Sequence, residues 1–326
     1  MRIALDAMGT DQAPDSEVAG AVAAVEEDPG LNILLVGDQS LINGRLERFP
    51  GRDRITVVHT PDRIAPDESP ISALRRAPRS SISLGLDLQK AGEADAFVSA
   101  GSTGAVMAAS QLGLRALKGV DRPTLGTPFP TARGTTLVVD SGANVDCKPQ
   151  QLVQFARLGA IYMHDVAGIE RPAVGLLNVG SEPLKGTEAV QAAHSLLAAS
   201  DLNFIGNVEG RDIIPHSCDV LVCDGFIGNI LLKFYESTAS FVTDAVRARL
   251  EEDCLDPGLD ELFRGFDYAE YGGVPLLGVN GVTIVCHGAS SPKAIKEAVG
   301  VAKRAVDSGM VSHMARDLAA GQVGNG

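Results

Sequence analysis

Val220-Leu221-Val222-Cys223-Asp224-Gly225-Phe226-Ile227-Gly228-Asn229-Ile230-Leu231-Leu232-Lys233 joins two patterns within one stretch. Four apolar residues suited to a buried parallel strand end at Asp224-Gly225, and after Gly228 an apolar pattern of helical period begins. Polar groups gather where a strand hands over to a helix, which in an open α/β sheet is where ligands bind. Gly225 and Gly228 permit a sharp turn and a close backbone approach. The first helical N–H groups lack intrahelical acceptors and favour an anion.

The same handover recurs along the chain. Ile3 to Leu5 reads as a strand, followed by a helix that Ser16 is suited to cap, and Asn32 to Val36 as a strand ending in Gly37-Asp38. Ile55 to Val58 is a strand, and prolines at 61, 66 and 70 keep the following loop irregular. Ala96 to Ser99 runs into Ala100-Gly101-Ser102-Thr103-Gly104-Ala105, and Leu137 to Asp140 into Ser141-Gly142-Ala143-Asn144. Val174 to Leu177 precedes Asn178-Val179-Gly180 and Lys185-Gly186, Asn203 to Ile205 is a further strand, and Val282 to Val285 ends in Cys286-His287-Gly288. This alternation predicts βαβ units and a mainly parallel sheet.

The helix expected from Asn229 to about Glu251 carries Ile230, Phe234, Phe241, Ala245 and Val246, more apolar surface than an isolated surface helix needs. It points to a partner subunit. One large α/β domain over 1–326 is expected, with a helical hairpin insertion at about 234–281 that meets a second copy, a membrane or another partner.

Hydrophobic residues make up 45% of the 326 and there is no Trp, so the core is built from Ala, Val, Leu and Ile. A net charge of -13 argues against nucleic acid as a partner. No stretch reaches the roughly 18 apolar residues of a membrane span. Met1 to Asp6 reads as a first strand because Asp6 interrupts the apolar run, and five cysteines without metal-ligand spacing suit a reducing cytoplasm. No metal and no cofactor is called for.

The turn Gly101-Ser102-Thr103-Gly104 suits phosphate, since it exposes N–H groups at a helix start and adds two hydroxyls. It is neither a Walker A loop nor a G-x-G-x-x-G fingerprint. Arg75, Arg76 and Arg79 form a basic cluster on an acidic chain, and Lys293, Lys296, Lys303 and Arg304 form a second.

Taken together, Ala4-Leu5-Asp6-Ala7-Met8-Gly9, Asp11 with Ala13-Pro14, Ser99 to Ala105, Gly142 to Cys147, Leu177 to Gly180 with Lys185-Gly186, Asp219 to Lys233, and His287-Gly288-Ala289 closely resemble the bacterial phosphate acyltransferase family. The resemblance covers nearly the whole chain. It implies a three-layer α/β/α fold like that of phosphotransacetylases and isopropylmalate dehydrogenases, a homodimer, and a cytoplasmic protein in peripheral contact with the inner face of the membrane. It also implies acyl transfer from acyl carrier protein to inorganic phosphate, giving acyl phosphate to the next membrane acyltransferase of phospholipid synthesis. Thr10 stands where the family usually has glycine and Ser102 where it usually has asparagine. Residues 253–266 are shorter and more acidic than the hydrophobic hairpin proposed to touch membranes in relatives.

Such a reaction needs a phosphate site and donors for the tetrahedral oxyanion and the departing thiolate, with positioning and electrostatics supplying much of the acceleration. Gly101, Ser102, Thr103 and Gly104 are the candidates for phosphate, helped by Lys185 as a point charge. Asn144 and Asn229 are candidates for the oxyanion, with Lys233 one helical turn beyond Asn229. Asp224 is a candidate to orient a lysine or accept a proton, and His287 to assist the sulfur or hydrogen-bond its loop. An acidic carrier protein needs a local basic patch, for which Arg75, Arg76 and Arg79 are candidates beside the second cluster.

Three rivals remain. A covalent route would load the acyl group on Cys223 or Cys147. A metal- and NAD-dependent dehydrogenase of similar fold would use Asp219 with Asp224, although Asp219 begins the strand and Asp224 ends it. A non-catalytic acyl-carrier or membrane scaffold would need no chemistry at all.

Overall fold

A computed structural model describes residues 1–50, 52–65, 68–248 and 272–323. Among them the strands are β1 (Arg2–Asp6), β2 (Asn32–Gly37), β3 (Ile55–His59), β4 (Ala96–Ser99), β5 (Thr124–Thr131), β6 (Gly134–Val139), β7 (Val174–Leu177), β8 (Phe204–Val208), β9 (Val220–Val222), β10 (Val274–Leu277) and β11 (Val282–Val285). The helices are α1 (Asp15–Glu27), α2 (Gln39–Leu46), α3 (Pro70–Arg76), α4 (Ser81–Lys90), α5 (Thr103–Gly113), α6 (Pro149–Asp165), α7 (Glu188–Ala198), α8 (Gly225–Arg247), α9 (Pro292–Asp307) and α10 (Met310–Val323).

The alternation of elements alone reads as one large domain, whereas main-chain contacts group the chain in two compact units. One takes Met1–Pro123, Asp165–Ala167 and Gly272–Gly326, the other Thr124–His164 and Gly168–Tyr271. The part of the expected hairpin at 249–271, with the 253–266 segment and Cys254, lies outside the described residues.

In the first unit the strand order is β3-β2-β1-β4-β11-β10. All neighbours are parallel except β10, which runs antiparallel to β11. Because β2 and β4 flank β1, the chain leaves β1 first to one side and later to the other. Such a switch point opens a crevice at the carboxyl ends of its strands. Ile3, Leu5, Ile33, Leu35 and Phe97 are wholly buried, and α4 packs so tightly on β4 that a Cβ on Gly85 would meet the Phe97 ring at 2.3 Å.

In the second unit the order is β5-β6-β9-β7-β8, parallel except for the antiparallel β5–β6 pair. Leu137, Val138 and Val139 stand beside Val220, Leu221 and Val222, so the carboxyl ends of β6 and β9 are neighbours. Continuous burial along β9 explains its unbroken apolar run, as expected for a parallel strand covered on both faces.

Several local expectations shift. α1 starts at Asp15, with Ser16 buried inside its first turn instead of capping it. α8 starts at Gly225, earlier than its apolar pattern suggested, because the Asp224 carboxylate accepts from the Ile227 N–H at 2.8 Å and caps it. β5 is a strand despite Pro128 and Pro130; two residues apart, their missing N–H groups fall on one side of the strand. Among the described residues no helix is long and apolar enough to cross a membrane.

Candidate functional site

In the second unit the site is built around Asp140, wholly buried at the end of β6. Its carboxylate accepts from the backbone N–H groups of Leu125 and Ser141, each at 2.9 Å, and of Asn144 at 2.5 Å, and from the Asn144 amide at 3.0 Å. Burial pushes its carboxyl up, and the bonds from Leu125 and Asn144 pull against that shift. The Asn144 carbonyl in turn accepts from the Gly225 N–H at 2.7 Å, which ties the β6 turn to the start of α8.

Glycines make this contact possible. A Cβ on Gly225 would stand 2.7 Å from the Asp140 carboxylate, and Gly228 leaves even less room. Gly142, at φ 126°, lies against Asn229: a Cβ there would meet the Asn229 side-chain oxygen at 3.5 Å. Asn144 and Asn229 are therefore brought to one turn. Asn144 is buried with its amide engaged on Asp140, while Asn229 is exposed.

Lys233 lies further along α8, half exposed, with its ammonium 2.8 Å from the Glu236 carboxylate. Lys185 sits on the loop after β7, exposed and 4.0 Å from Glu182. Amides brace that loop: Asn178 donates to the Lys185 carbonyl at 3.0 Å and Asn207 to the Glu182 carbonyl at 2.8 Å. Gly186, at φ 85°, provides the left-handed residue the turn requires.

In the first unit the polar ends of β1 and β4 are coupled. Ser99 donates its hydroxyl to the buried Asp6 carboxylate at 2.7 Å and accepts from the Gly101 N–H at 3.0 Å. Asp6 also accepts from the Met8 N–H at 3.0 Å. A Cβ on Gly9 would stand 2.6 Å from the Gly101 nitrogen, so Gly9 allows the two loops to touch. The turn carrying Gly101, Ser102, Thr103 and Gly104 is thus held from beneath, with Ser102 at the N-cap position of α5. Thr10 gives its N–H and hydroxyl to Glu17 at 2.7 and 2.9 Å. Burial pushes the Glu17 carboxyl up to about 7.

His287 follows β11 and is exposed, its Nδ1 accepting from the Ala289 N–H at 3.1 Å. Its turn docks on the Asp11 segment, where the Asp11 N–H donates to the Gly288 carbonyl at 2.8 Å. Arg75, Arg76 and Arg79 are exposed at and beyond the end of α3, and Arg76 pairs with Glu68 at 2.7 Å. In the second basic cluster Lys296 pairs with Glu27 at 2.7 Å and Lys303 with Asp307 at 2.7 Å.

The rivals fare poorly on geometry. Cys223 and Cys147 are buried, and burial pushes the Cys223 thiol well above its ordinary value, so little nucleophilic thiolate forms. Asp219 and Asp224 stand at opposite ends of β9, and Asp219 accepts from the Ala173 N–H at 2.7 Å while Asp224 caps α8. The residues that sequence reasoning left out are Asp6, Ser99 and Asp140. Their signal is a carboxylate or hydroxyl at a strand end with glycine two or three positions on: Asp6 with Gly9, Ser99 with Gly101, Asp140 with Gly142.

Residues 1–313 match the family model described as "Fatty acid synthesis protein". A phosphate acyltransferase of Desulforamulus reducens is 46% identical over 325 residues, covering 98% of this chain and 97% of the relative. One of Heliobacterium modesticaldum is 48% identical over 322 residues, covering 96% of each. Among solved structures, the EutD phosphotransacetylase from Staphylococcus aureus superposes with a TM-score of 0.63 at 15% identity over 94% of both chains, which shows a shared three-layer α/β/α fold. With a family match along almost its entire length and relatives near half identity, the chain belongs to the fatty acid synthesis protein family of phosphate acyltransferases, enzymes that pass an acyl group to phosphate for phospholipid synthesis.

Proposed function

We propose that the acyl donor is an acyl carrier protein thioester and that inorganic phosphate is bound at the Gly101–Gly104 turn. The observation that carries the reading is the Asp6–Ser99–Gly101 chain of hydrogen bonds, which fixes this turn at a switch point of the sheet. The start of α5 then offers N–H groups and the Ser102 and Thr103 hydroxyls to an anion. Lys185 is the candidate point charge for phosphate by its chemistry.

A phosphate oxygen attacks the thioester carbonyl, a C–O bond forms, and the carbonyl π electrons move to oxygen. Collapse of that oxyanion breaks the C–S bond, and the thiolate leaves with a proton. Asn229 holds the oxyanion through its exposed amide, while Asn144, engaged on Asp140, sets the turn on which Asn229 rests. Asp224 and Lys233 act with α8, the first as its cap and the second as a charge held by Glu236. With Nδ1 accepting a backbone N–H, a neutral His287 carries its hydrogen on Nε2 and hydrogen-bonds the departing sulfur, while the proton that the thiolate takes is the one that monoprotonated phosphate releases.

Docking of the acidic carrier falls to Arg75, Arg76 and Arg79, which stand exposed together at and beyond the end of α3, with Arg76 braced by Glu68. A second copy covers exposed Phe226, Ile230 and Phe241 on α8, and the acyl phosphate passes to a membrane acyltransferase. The test mixes purified protein, acyl carrier protein thioester and phosphate. Acyl phosphate is expected only when all three are present. Product that needs NAD, is lost to a chelator, or is absent altogether would sink the reading.

A further inference from the structure

Three consecutive residues after β1 meet three different parts of the first unit. Gly9 lies on the Gly101–Gly104 turn, where a Cβ on it would stand 2.6 Å from the Gly101 nitrogen and 2.7 Å from the Ala100 carbonyl carbon. Thr10 is held by Glu17. Asp11 gives its N–H to the Gly288 carbonyl at 2.8 Å, and a Cβ on Gly288 would stand 3.2 Å from the Asp11 carboxylate. Because β11 runs parallel to β4 with Val285 beside Ser99, the His287 turn and the Gly101–Gly104 turn leave neighbouring strand ends. Residues 9–11 bridge them.

We propose that Glu17 is a positioning residue for acyl transfer, which through Thr10 sets the spacing between the Gly101–Gly104 turn and His287. The inference rests on the places given above to phosphate and to the departing sulfur, and adds what fixes one relative to the other. Glu17 is wholly buried in the first turn of α1 and spends both carboxylate oxygens on Thr10, one on its N–H at 2.7 Å and one on its hydroxyl at 2.9 Å. The helix that carries it is itself locked: a Cβ on Gly20, one turn further on, would meet the Pro292 carbonyl and Ile295 at 2.7 Å, and Pro292 opens α9 just beyond the His287 turn. Burying a carboxyl costs stability that an apolar side chain of similar size would not, so position is what the pair supplies. The grip does not need the charge. A neutral carboxyl still accepts the Thr10 N–H on one oxygen and gives its hydrogen to the Thr10 hydroxyl from the other, as a glutamine amide would.

The test is initial rates against phosphate for a set of variants of the full chain. Glu17→Leu is expected to lower kcat roughly tenfold and to raise the phosphate KM, since displacing reacting groups by about 1 Å can cost about a hundredfold. Glu17→Gln is expected to restore both, because it keeps the two bonds to Thr10. Thr10→Val, which keeps the N–H and loses the hydroxyl, serves if Glu17→Leu does not fold, and is expected to move kcat and KM the same way by a smaller factor. Val25→Ala, a buried truncation at the other end of α1, is expected to lower stability with both rate constants unchanged. In a His287→Ala background the kcat loss from Glu17→Leu is expected to shrink to less than about twofold, because the group it positions is gone. A folded Glu17→Leu with the parental kcat and phosphate KM, failure of Glu17→Gln to restore them, or the same kcat loss with and without His287 overturns the proposal. A parent protein that makes no acyl phosphate, or a His287→Ala variant at full turnover, overturns the reading on which it rests.

Discussion

Gly228 meets Asp140 so closely that a Cβ on the glycine would stand 1.9 Å from the Asp140 carbonyl oxygen. The obstacle is backbone, which cannot rotate away. Gly228 lies inside α8, where replacing glycine by alanine ordinarily stabilises by about 1 kcal/mol. Here the contact reverses the sign. Gly228→Ala is expected to lose about 1–3 kcal/mol or more by overpacking, read by equilibrium urea unfolding. A variant as stable as its parent would refute the close approach.

Glu17 offers a pH test. Its folded-state carboxyl titrates at about 7, above the ordinary 4.5, because burial outweighs the Thr10 bonds. Between those values the unfolded chain has released the proton and the folded chain keeps it, so stability falls as pH rises. The contribution present below pH 4.5 is lost by about pH 7, on the order of 3 kcal/mol. Glu17→Gln should remove this part of the slope. Parallel stability curves for the two proteins from pH 4.5 to 7.5 would contradict the buried, raised carboxyl.

Lys185→Ala should raise the phosphate concentration needed for half-maximal rate by roughly tenfold or more, as loss of a hydrogen bond to a charged group implies. Its side chain is exposed and its loop is held by Asn178 and Asn207, so the fold should survive. Initial rates against phosphate check this, with circular dichroism as the control. An unchanged phosphate curve would remove Lys185 from the site.

The Cys147→Ala, Cys223→Ala double variant should keep its turnover to within a few-fold while losing about 1–2 kcal/mol of stability from small buried cavities. Trapping with labelled acyl donor should leave no label on the protein. Loss of turnover in a still-folded variant, or covalent label on the parent, would restore the thioester route.

Much of this was legible in local sequence. Strand-to-helix handovers such as Cys223-Asp224-Gly225 and Ser99-Ala100-Gly101 are set by neighbouring residues, because apolar runs, glycine and capping groups act within one turn. The order of elements and the main candidates, Gly101 to Gly104, Lys185, Asn144 and Asn229, followed from that. β5 was not legible, since Pro128 and Pro130 oppose a strand locally and only pairing with β6 makes it one. Nor was the commitment of Asp224 to capping and of Lys233 to Glu236, which depends on where α8 begins.

The stretch from Val220 to Lys233 holds both kinds of information. By itself it determined a buried strand, a glycine turn and an apolar helix, because burial pattern and turn chemistry are short-range properties. Tertiary structure alone decided that Asp140, far away in sequence, would lie under Gly225 and Gly228. Those contacts arise from strand order, β9 inserted between β6 and β7, which places distant carboxyl ends side by side.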